Sequence, residues 1–343
     1  MLQRIWTLFL MRNKEFYRDK GSLIWNILFP FIIIVSFNVI FNDDKNLYKV
    51  GVVDTINDGT RTKDHKPVFF LETKFIDFVS FRSIEEGLDK LKHHRIDFLI
   101  RPASKQYWVN TPSPKGYIVE KLLAASFTNK QSCFEKQLIT GEKVSYTEWL
   151  FPGILAMNTM FSALFGVGYV IVRYRKNGVL KRLSVAPTKT YEFLIAQILS
   201  RMFIILLTTI IVYFGCVMLY GFKCNGSLLN LLVVFSLGLF SLISLGLLIS
   251  ARSSSEEFAG GILNLISLPM MFLSEVWFSL EGANPWVIYF SKILPLAHLV
   301  DASRKIMNDG AGLSEIKYHI TALVIMSLLF LTIGSFLFRW QKT

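Results

Sequence analysis

Six stretches of this chain are apolar for about the 20 residues that a helix needs to cross a bilayer. They are 22–41, 150–172, 196–220, 228–250, 257–279 and 318–338, and the last three carry almost no charge. The second holds Gly153, Gly166 and Gly168, as membrane helices do where neighbours approach closely. Composition agrees: 52% of the residues are hydrophobic, 30 are phenylalanine, and mean hydropathy is +0.43. A soluble domain needs more polar surface than this to face water. The sequence therefore predicts an all-α six-helix transmembrane domain, with the 22–41 segment as an uncleaved anchor.

The formal net charge of +12 would suggest nucleic acid in a soluble protein, but its location argues otherwise. Arg4, Arg12, Lys14, Arg18 and Lys20 precede the first span. Arg173, Arg175, Lys176, Lys181, Arg182 and Lys189 lie between the second and third, and Arg339 and Lys342 follow the sixth. The 221–227 loop has only Lys223. Basic residues collect on the cytoplasmic side of short loops, so both termini are expected in the cytoplasm. The excess then faces anionic lipid headgroups, and no nucleic-acid partner is expected.

Residues 42–148 carry 17 basic and 15 acidic residues. Long translocated domains are exempt from the charge rule, and the pattern is too regular for a passive loop. "KVGVVD", "FIDFVSF", "IDFLIRP" and "QYWVN" read as strands. Ser83-Ile84-Glu85-Glu86 has the spacing of a capping box, followed by Ile84, Leu88 and Leu91 at helical intervals. Residues 115–127 read as a second helix. An inserted small α/β extracytoplasmic domain follows from this. His93 and His94 are adjacent, so on a helix they point about 100° apart and do not share one ion.

No P-loop, HExxH, GxSxG or GxGxxG occurs, and no His, Asp and Glu cluster suggests acid–base work. The chain has no catalytic site of its own on this reading, no metal site and no bound cofactor. The spans hold few ionisable groups for an ion-coupled carrier, so the energy for any transport comes from a partner. Of Cys133, Cys216 and Cys224, the first and last fall on the same predicted side, and their pairing stays open.

Three segments in order carry a family resemblance. "RNKEFYRDKGSLIWNILFP" resembles the start of type 2 permeases of ATP-binding-cassette (ABC) exporters, where an amphipathic surface helix bears a Lys-Glu then Arg-Asp pattern before a proline-containing span. Lys14, Glu15, Arg18, Asp19 and Pro30 match it. "GVLKRLSVAPTKT" at 178–190 is similar to the family's cytoplasmic segment after the second span. "NLISLPMMFLSEVWFSLEGANPWVIYFSKILPLAHLVDASRKI" resembles its fifth span and outer hairpin. The 42–148 insert matches the subgroup with a large extracytoplasmic domain. Two positions depart: Glu275 stands where many relatives have glycine, and Ser279 where proline is common.

The resemblance implies a permease subunit that moves an apolar or amphipathic substrate out of the cytoplasm or inner leaflet by alternating access. It implies a separate ABC ATPase subunit carrying ATP and Mg, a homodimer or a heterodimer with a sister permease, and the bacterial inner membrane. The domain plan becomes a cytoplasmic amphipathic helix at 1–20, span 1 at 22–41, the α/β domain at 42–148, and spans 2–6 within 150–343. The last block includes a coupling helix at 178–187 and an outer re-entrant hairpin at 280–312. Coupling is assigned to Val179, Leu180, Lys181, Arg182, Leu183, Ala186 and Pro187, with Lys14, Glu15, Arg18 and Asp19.

Spacing makes 179–186 a short helix with Val179, Leu180, Leu183 and Ala186 on one face, stopped by Pro187. Thr190 is expected to cap the next helix. The apolar face has two readings: an anchor on lipid headgroups or a docking face for the ATPase. Arg201 either snorkels to the surface or pairs with an acid. Arg252, Glu256 and Glu257 read as a solvated, partly self-paired turn. Met157, Phe161, Phe165, Met270, Met271 and Phe272 either line a substrate path or pack ordinarily, and Glu275 is a headgroup-level carboxylate or an outer gate. Two rival functions remain: a non-transporting membrane protein whose outer domain senses or recruits a cell-envelope ligand, and an ion-driven carrier.

Overall fold

The computed structural model describes every residue except 1, 42–47, 54–69, 71–72, 74, 82, 93–95, 105, 110–112, 127–144, 186–188, 254, 281–282 and 339–343. The chain forms two compact units, Met1–Ile40 with Lys143–Thr343, and Phe41–Glu142.

The smaller unit is built on a four-stranded sheet: β1 (Tyr48–Val53), β2 (Ile76–Phe81), β3 (Phe98–Arg101) and β4 (Gln106–Val109), in spatial order β2-β1-β3-β4. β1 is parallel to β2 and β3, with Val50 opposite Phe78 and Phe98, while β3 and β4 run antiparallel. Side chains alternate across the sheet. Val50 and Val52 enter one core with Phe98, Val119 and Leu123 from helix Pro114–Ser126. Val53 enters the other with Leu99, Ile84, Leu88 and Leu91 from helix Ile84–Lys92. Ser83 caps that second helix by accepting from the Glu86 amide at 3.2 Å. His93, His94 and Cys133 lie outside the described residues.

Among the described residues, the larger unit has six helices long and apolar enough to cross a membrane: Lys20–Ile40, Tyr146–Lys176, Thr190–Tyr220, Leu228–Ser250, Glu256–Leu273 and Lys317–Leu337. The second is the axis. Leu150, Ile154, Met157, Leu164, Val167 and Ile171 are fully buried along it, and it is contacted by the third, fourth and fifth spans and by helix Pro295–Asp309. The first and last spans leave most of their surface uncovered. A shorter helix, Pro285–Ser291, buries none of its side chains.

Local chemistry moves several boundaries from their expected places. The second span starts four residues early because Ser145 and Glu148 form a capping box, with bonds of 2.9 and 3.2 Å. The third starts at Thr190, so Thr190 is not its cap: the Glu192 carboxylate reaches back to the Lys189 amide at 2.9 Å. The fifth stops at Leu273, six residues short of the expected 279. Glu275 adopts φ 56°, a left-handed turn that a helix does not continue through. Cys224 donates to the Gly226 carbonyl at 3.4 Å, and Cys216 is buried; the pairing of Cys224 with Cys133 falls on a residue outside those described.

Candidate functional site

The leading helix Leu2–Arg18 is separated from the first span only by Asp19. Its apolar face puts Ile5 and Leu8 against Ala196 of the third span, and Asn13 accepts from Ser200 at 2.6 Å. One turn further, Arg12 is buried and reaches the end of the second span. It donates to Glu15 at 2.6 Å and to the Tyr174 hydroxyl, and it stacks 4.8 Å from the Tyr174 ring. The Tyr174 hydroxyl donates in turn to Glu15, and Arg173 stands 3.7 Å from the same carboxylate. Burial raises the Glu15 carboxyl, but the bonds from Tyr174 and Arg12 and the Arg173 charge overcome it and hold it below its usual range. Asp19 caps the first span, accepting from the Ser22 amide and hydroxyl at 3.1 and 2.6 Å, and these bonds lower its carboxyl. Lys14 and Arg18 are exposed.

The second span ends in an Asn177-Gly178 turn and then the short helix Val179–Val185. Leu180 is wholly buried. Val179 and Leu183 pack on the main core, and Leu183 also joins Ile5 and Leu8. The apolar face expected to meet lipid or a partner thus meets this chain's own leading helix and spans. Lys181, Arg182 and Val185 face outward, Val185 with 84% of its surface exposed. Ala186 and Pro187 lie outside the described residues.

Neighbouring contacts brace this end of the helices. Arg175 donates to the carbonyls of Ser250 and Ala251 at 3.0 Å each, and to that of Ser253. Glu256 accepts from Tyr169 at 3.1 Å and lies 3.8 Å from Lys176. The 251–257 turn is therefore tied to the second span as well as to itself, through the Ser253 hydroxyl donating to the Ser255 carbonyl at 3.2 Å, while Arg252 and Glu257 stay exposed.

A cavity of about 620 Å³ opens between the leading helix and the first three spans, with Asn264 of the fifth at its wall. Phe161 and Phe165 line it. Met157 and Met270 do not: each is 1% exposed within the packed core. Met271 packs partly against that core, and Phe272 is exposed on the surface. The polar wall was not anticipated from the sequence. Asn158 donates to the Asn26 carbonyl at 3.3 Å, and the Ser162 hydroxyl donates to the Asn26 side chain. Single amides inside apolar runs were the available signal, since a membrane helix carries them at a cost.

Arg201 lines the same cavity and is buried rather than snorkelling, and its Nε has no hydrogen-bond partner among the described residues. Its guanidinium sits 5.5 Å from the Phe16 ring. Room for it comes from the second span, which widens to a π-helical turn over Leu164–Tyr169. There Gly166 presents no side chain: a methyl group would stand 3.3 Å from Arg201 Nη1.

At the opposite end of the second span, Arg304 is buried against the ring of Trp149 at 3.7 Å. It donates to the carbonyls of Trp149 and Glu275 at 3.2 and 2.9 Å, and lies 3.7 Å from the Glu275 carboxylate. Burial pushes its guanidinium down to about 10, against the pull of Glu275. Glu275 also accepts from the Leu280 amide at 3.1 Å. The carboxylate thus closes a turn instead of standing free. Nearby, His298 and His319 approach to 3.2 Å through their Nδ1 atoms, with Asp301 and Lys305 beside His319. Among the described residues no group of three or more His, Cys, Asp or Glu is arranged to hold a metal.

A family model described as "ABC-2 family transporter protein" matches residues 20–336. The chain is 26% identical over 199 residues to the inner membrane transport permease YhhJ of Escherichia coli K12, covering 56% of this chain and 52% of that protein. It is 23% identical over 184 residues to the probable multidrug ABC transporter permease YbhR of the same organism, covering 54% and 50%. With ABC transporter G family member 20 of Dictyostelium discoideum it shares 27% identity over 185 residues, 53% of this chain and 25% of that one. The chain spans about half the length of the bacterial relatives it matches, and a quarter of the amoebal one.

Proposed function

The chain belongs to the ABC-2 family of transporter proteins, and from that premise we propose that it is the membrane permease subunit of an ATP-driven exporter. A separate ABC ATPase carries ATP and Mg and supplies the energy, and the permease pairs with a second copy or a sister permease across a two-fold axis. The substrate is apolar or amphipathic and leaves the cytoplasm or inner leaflet by alternating access. Its membrane on this reading is the bacterial inner membrane, the location in the name of the relative YhhJ. The distribution of basic residues supports both termini and the 178–187 segment in the cytoplasm with the α/β unit outside.

The observation that carries the coupling assignment is the seating of helix Val179–Val185. Leu180 and Leu183 key it into the body, against the leading helix and the core, while Lys181, Arg182 and Val185 are left outward. A partner that pushes on the outward residues moves the leading helix and the spans together. Only a partner state that prefers one permease state can shift the equilibrium. The test is ATP hydrolysis by the co-purified ATPase in proteoliposomes. Lys181→Glu with Arg182→Glu is expected to abolish substrate-stimulated hydrolysis while the fold persists. Unchanged stimulation would sink the assignment.

A further inference from the structure

The geometry points to the cavity around Arg201 as a binding site for an amphiphile with one anionic headgroup, a phosphate or carboxylate, whose charge rests on Arg201. The inference deepens the proposed function by naming a substrate class, and it rests on that reading only for the fate of the bound molecule, not for its binding.

Three observations meet at this place. Arg201 is 9% exposed, and its buried Nε has no hydrogen-bond partner among the described residues. A buried guanidinium with no carboxylate hydrogen-bonded to it is costly, and an anionic ligand would relieve that cost. The acids sharing the cavity stand near enough to feel the Arg201 charge, but their hydrogen bonds are spent elsewhere: Glu15 on Arg12 and Tyr174, with Arg173 beside it, and Asp19 on Ser22. Finally, the π-helical turn and Gly166 clear the space beside Nη1. π-turns of this kind recur at functional sites.

The rest of the cavity suits the other half of an amphiphile. Trp25 stacks on Phe29 at 5.5 Å, and Phe161 faces Phe165 at 6.2 Å, giving an aromatic wall for an alkyl tail. Asn26, Asn158 and Ser162 lie among these walls as neutral hydrogen-bonding groups. The volume of 620 Å³ falls in the range of about 300–1,000 Å³ common to small-molecule sites. Guanidinium is the side chain best matched to phosphate or carboxylate oxygens, through paired N–H donors.

Native mass spectrometry of the full chain, released from dodecyl maltoside micelles, tests this without an ATPase. Dodecyl phosphate is titrated against dodecyl phosphocholine, which has a similar tail but no net charge, and against sodium phosphate. We expect one dodecyl phosphate per chain, with affinity falling by about tenfold or more in Arg201→Gln and by less in Arg201→Lys, which keeps the charge but not the paired donors. Phosphocholine binding as tight as phosphate, sodium phosphate binding as tight as dodecyl phosphate, or equal affinity in wild type and Arg201→Gln, overturns the assignment. If Arg201→Gln does not fold, Gly166→Ala decides: it keeps the charge and crowds it, so weakened binding supports the site and unchanged binding overturns it. Equimolar dioleoyl phosphatidylglycerol distinguishes the sources. Displacement of dodecyl phosphate supports an anion site filled by bilayer lipid, and its retention supports one filled by a free single-chain amphiphile. A failed binding test leaves the transport reading standing, and a failed transport test leaves the binding result standing.

Discussion

Arg304 holds Glu275 twice, through a 2.9 Å bond to its carbonyl and a 3.7 Å ion pair with its carboxylate. The backbone contact is the one that matters for shape, because Glu275 sits at φ 56°, where residues other than glycine are strained.

Glu275→Gly is therefore expected to change stability by less than about 1 kcal/mol, since relief of the left-handed backbone offsets loss of a part-exposed pair and of the bond from the Leu280 amide. Arg304→Met removes donors from two carbonyls and is expected to cost about 2–4 kcal/mol. Thermal unfolding in detergent measures both. A larger loss in the glycine variant than in Arg304→Met contradicts the ranking.

Leu180 and Val185 lie on one short helix with opposite surroundings. Leu180→Ala should cost about 2–5 kcal/mol through the cavity it leaves, whereas Val185→Ala should be near neutral. Equal unfolding temperatures for the two variants would show that the helix is not seated as described.

Around Glu15, Glu15→Ala leaves buried Arg12 without its acid. A loss of about 1–3 kcal/mol is expected, and Tyr174→Phe should recover only part of the coupling in a double-mutant cycle. Strict additivity of the two changes would break the proposed three-way contact. Because the folded Glu15 carboxyl is lowered below 4.5, its contribution is complete above 4.5 and is lost as pH falls through the folded value.

His298 supplies a second pH dependence at the other end. Burial lowers its imidazole below 6.5, against the Lys292 carbonyl and Asp301. His319, Lys305 and Tyr318 also face it or its partner. The unfolded chain takes up the proton near 6.5 and the folded chain only at lower pH. Stability is thus full above 6.5 and declines below it until the folded imidazole protonates. Unfolding temperatures on either side of 6.5 check the decline, and His298→Asn should flatten it.

The spans were legible because about 20 apolar residues leave little alternative in a membrane chain, and the strands because their alternation divides two cores. Val50 and Val52 face one core and Val53 the other. The polar contacts were not legible, since each joins residues far apart in sequence: Arg12 with Tyr174, Asn26 with Ser162, Arg304 with Trp149. Spacing correctly grouped Val179, Leu180 and Leu183, but a hydrophobic face does not name what covers it. Met157 and Met270 show the same ambiguity, because core packing and a substrate wall select the same side chains.

The π-turn at Leu164–Tyr169 has a consequence for how the second span is aligned with other chains. A turn of this kind adds one residue without adding a step of rise, so the helix before it and the helix after it keep different angular phases. Tyr146–Ala163 and Val170–Lys176 are out of register by one residue on a single helical wheel. A gapless comparison with a straight helix would assign Tyr174 and Arg173 to the wrong faces. Deleting one residue within 164–169 would bring the phases together and swing that last turn away from Arg12 and Glu15.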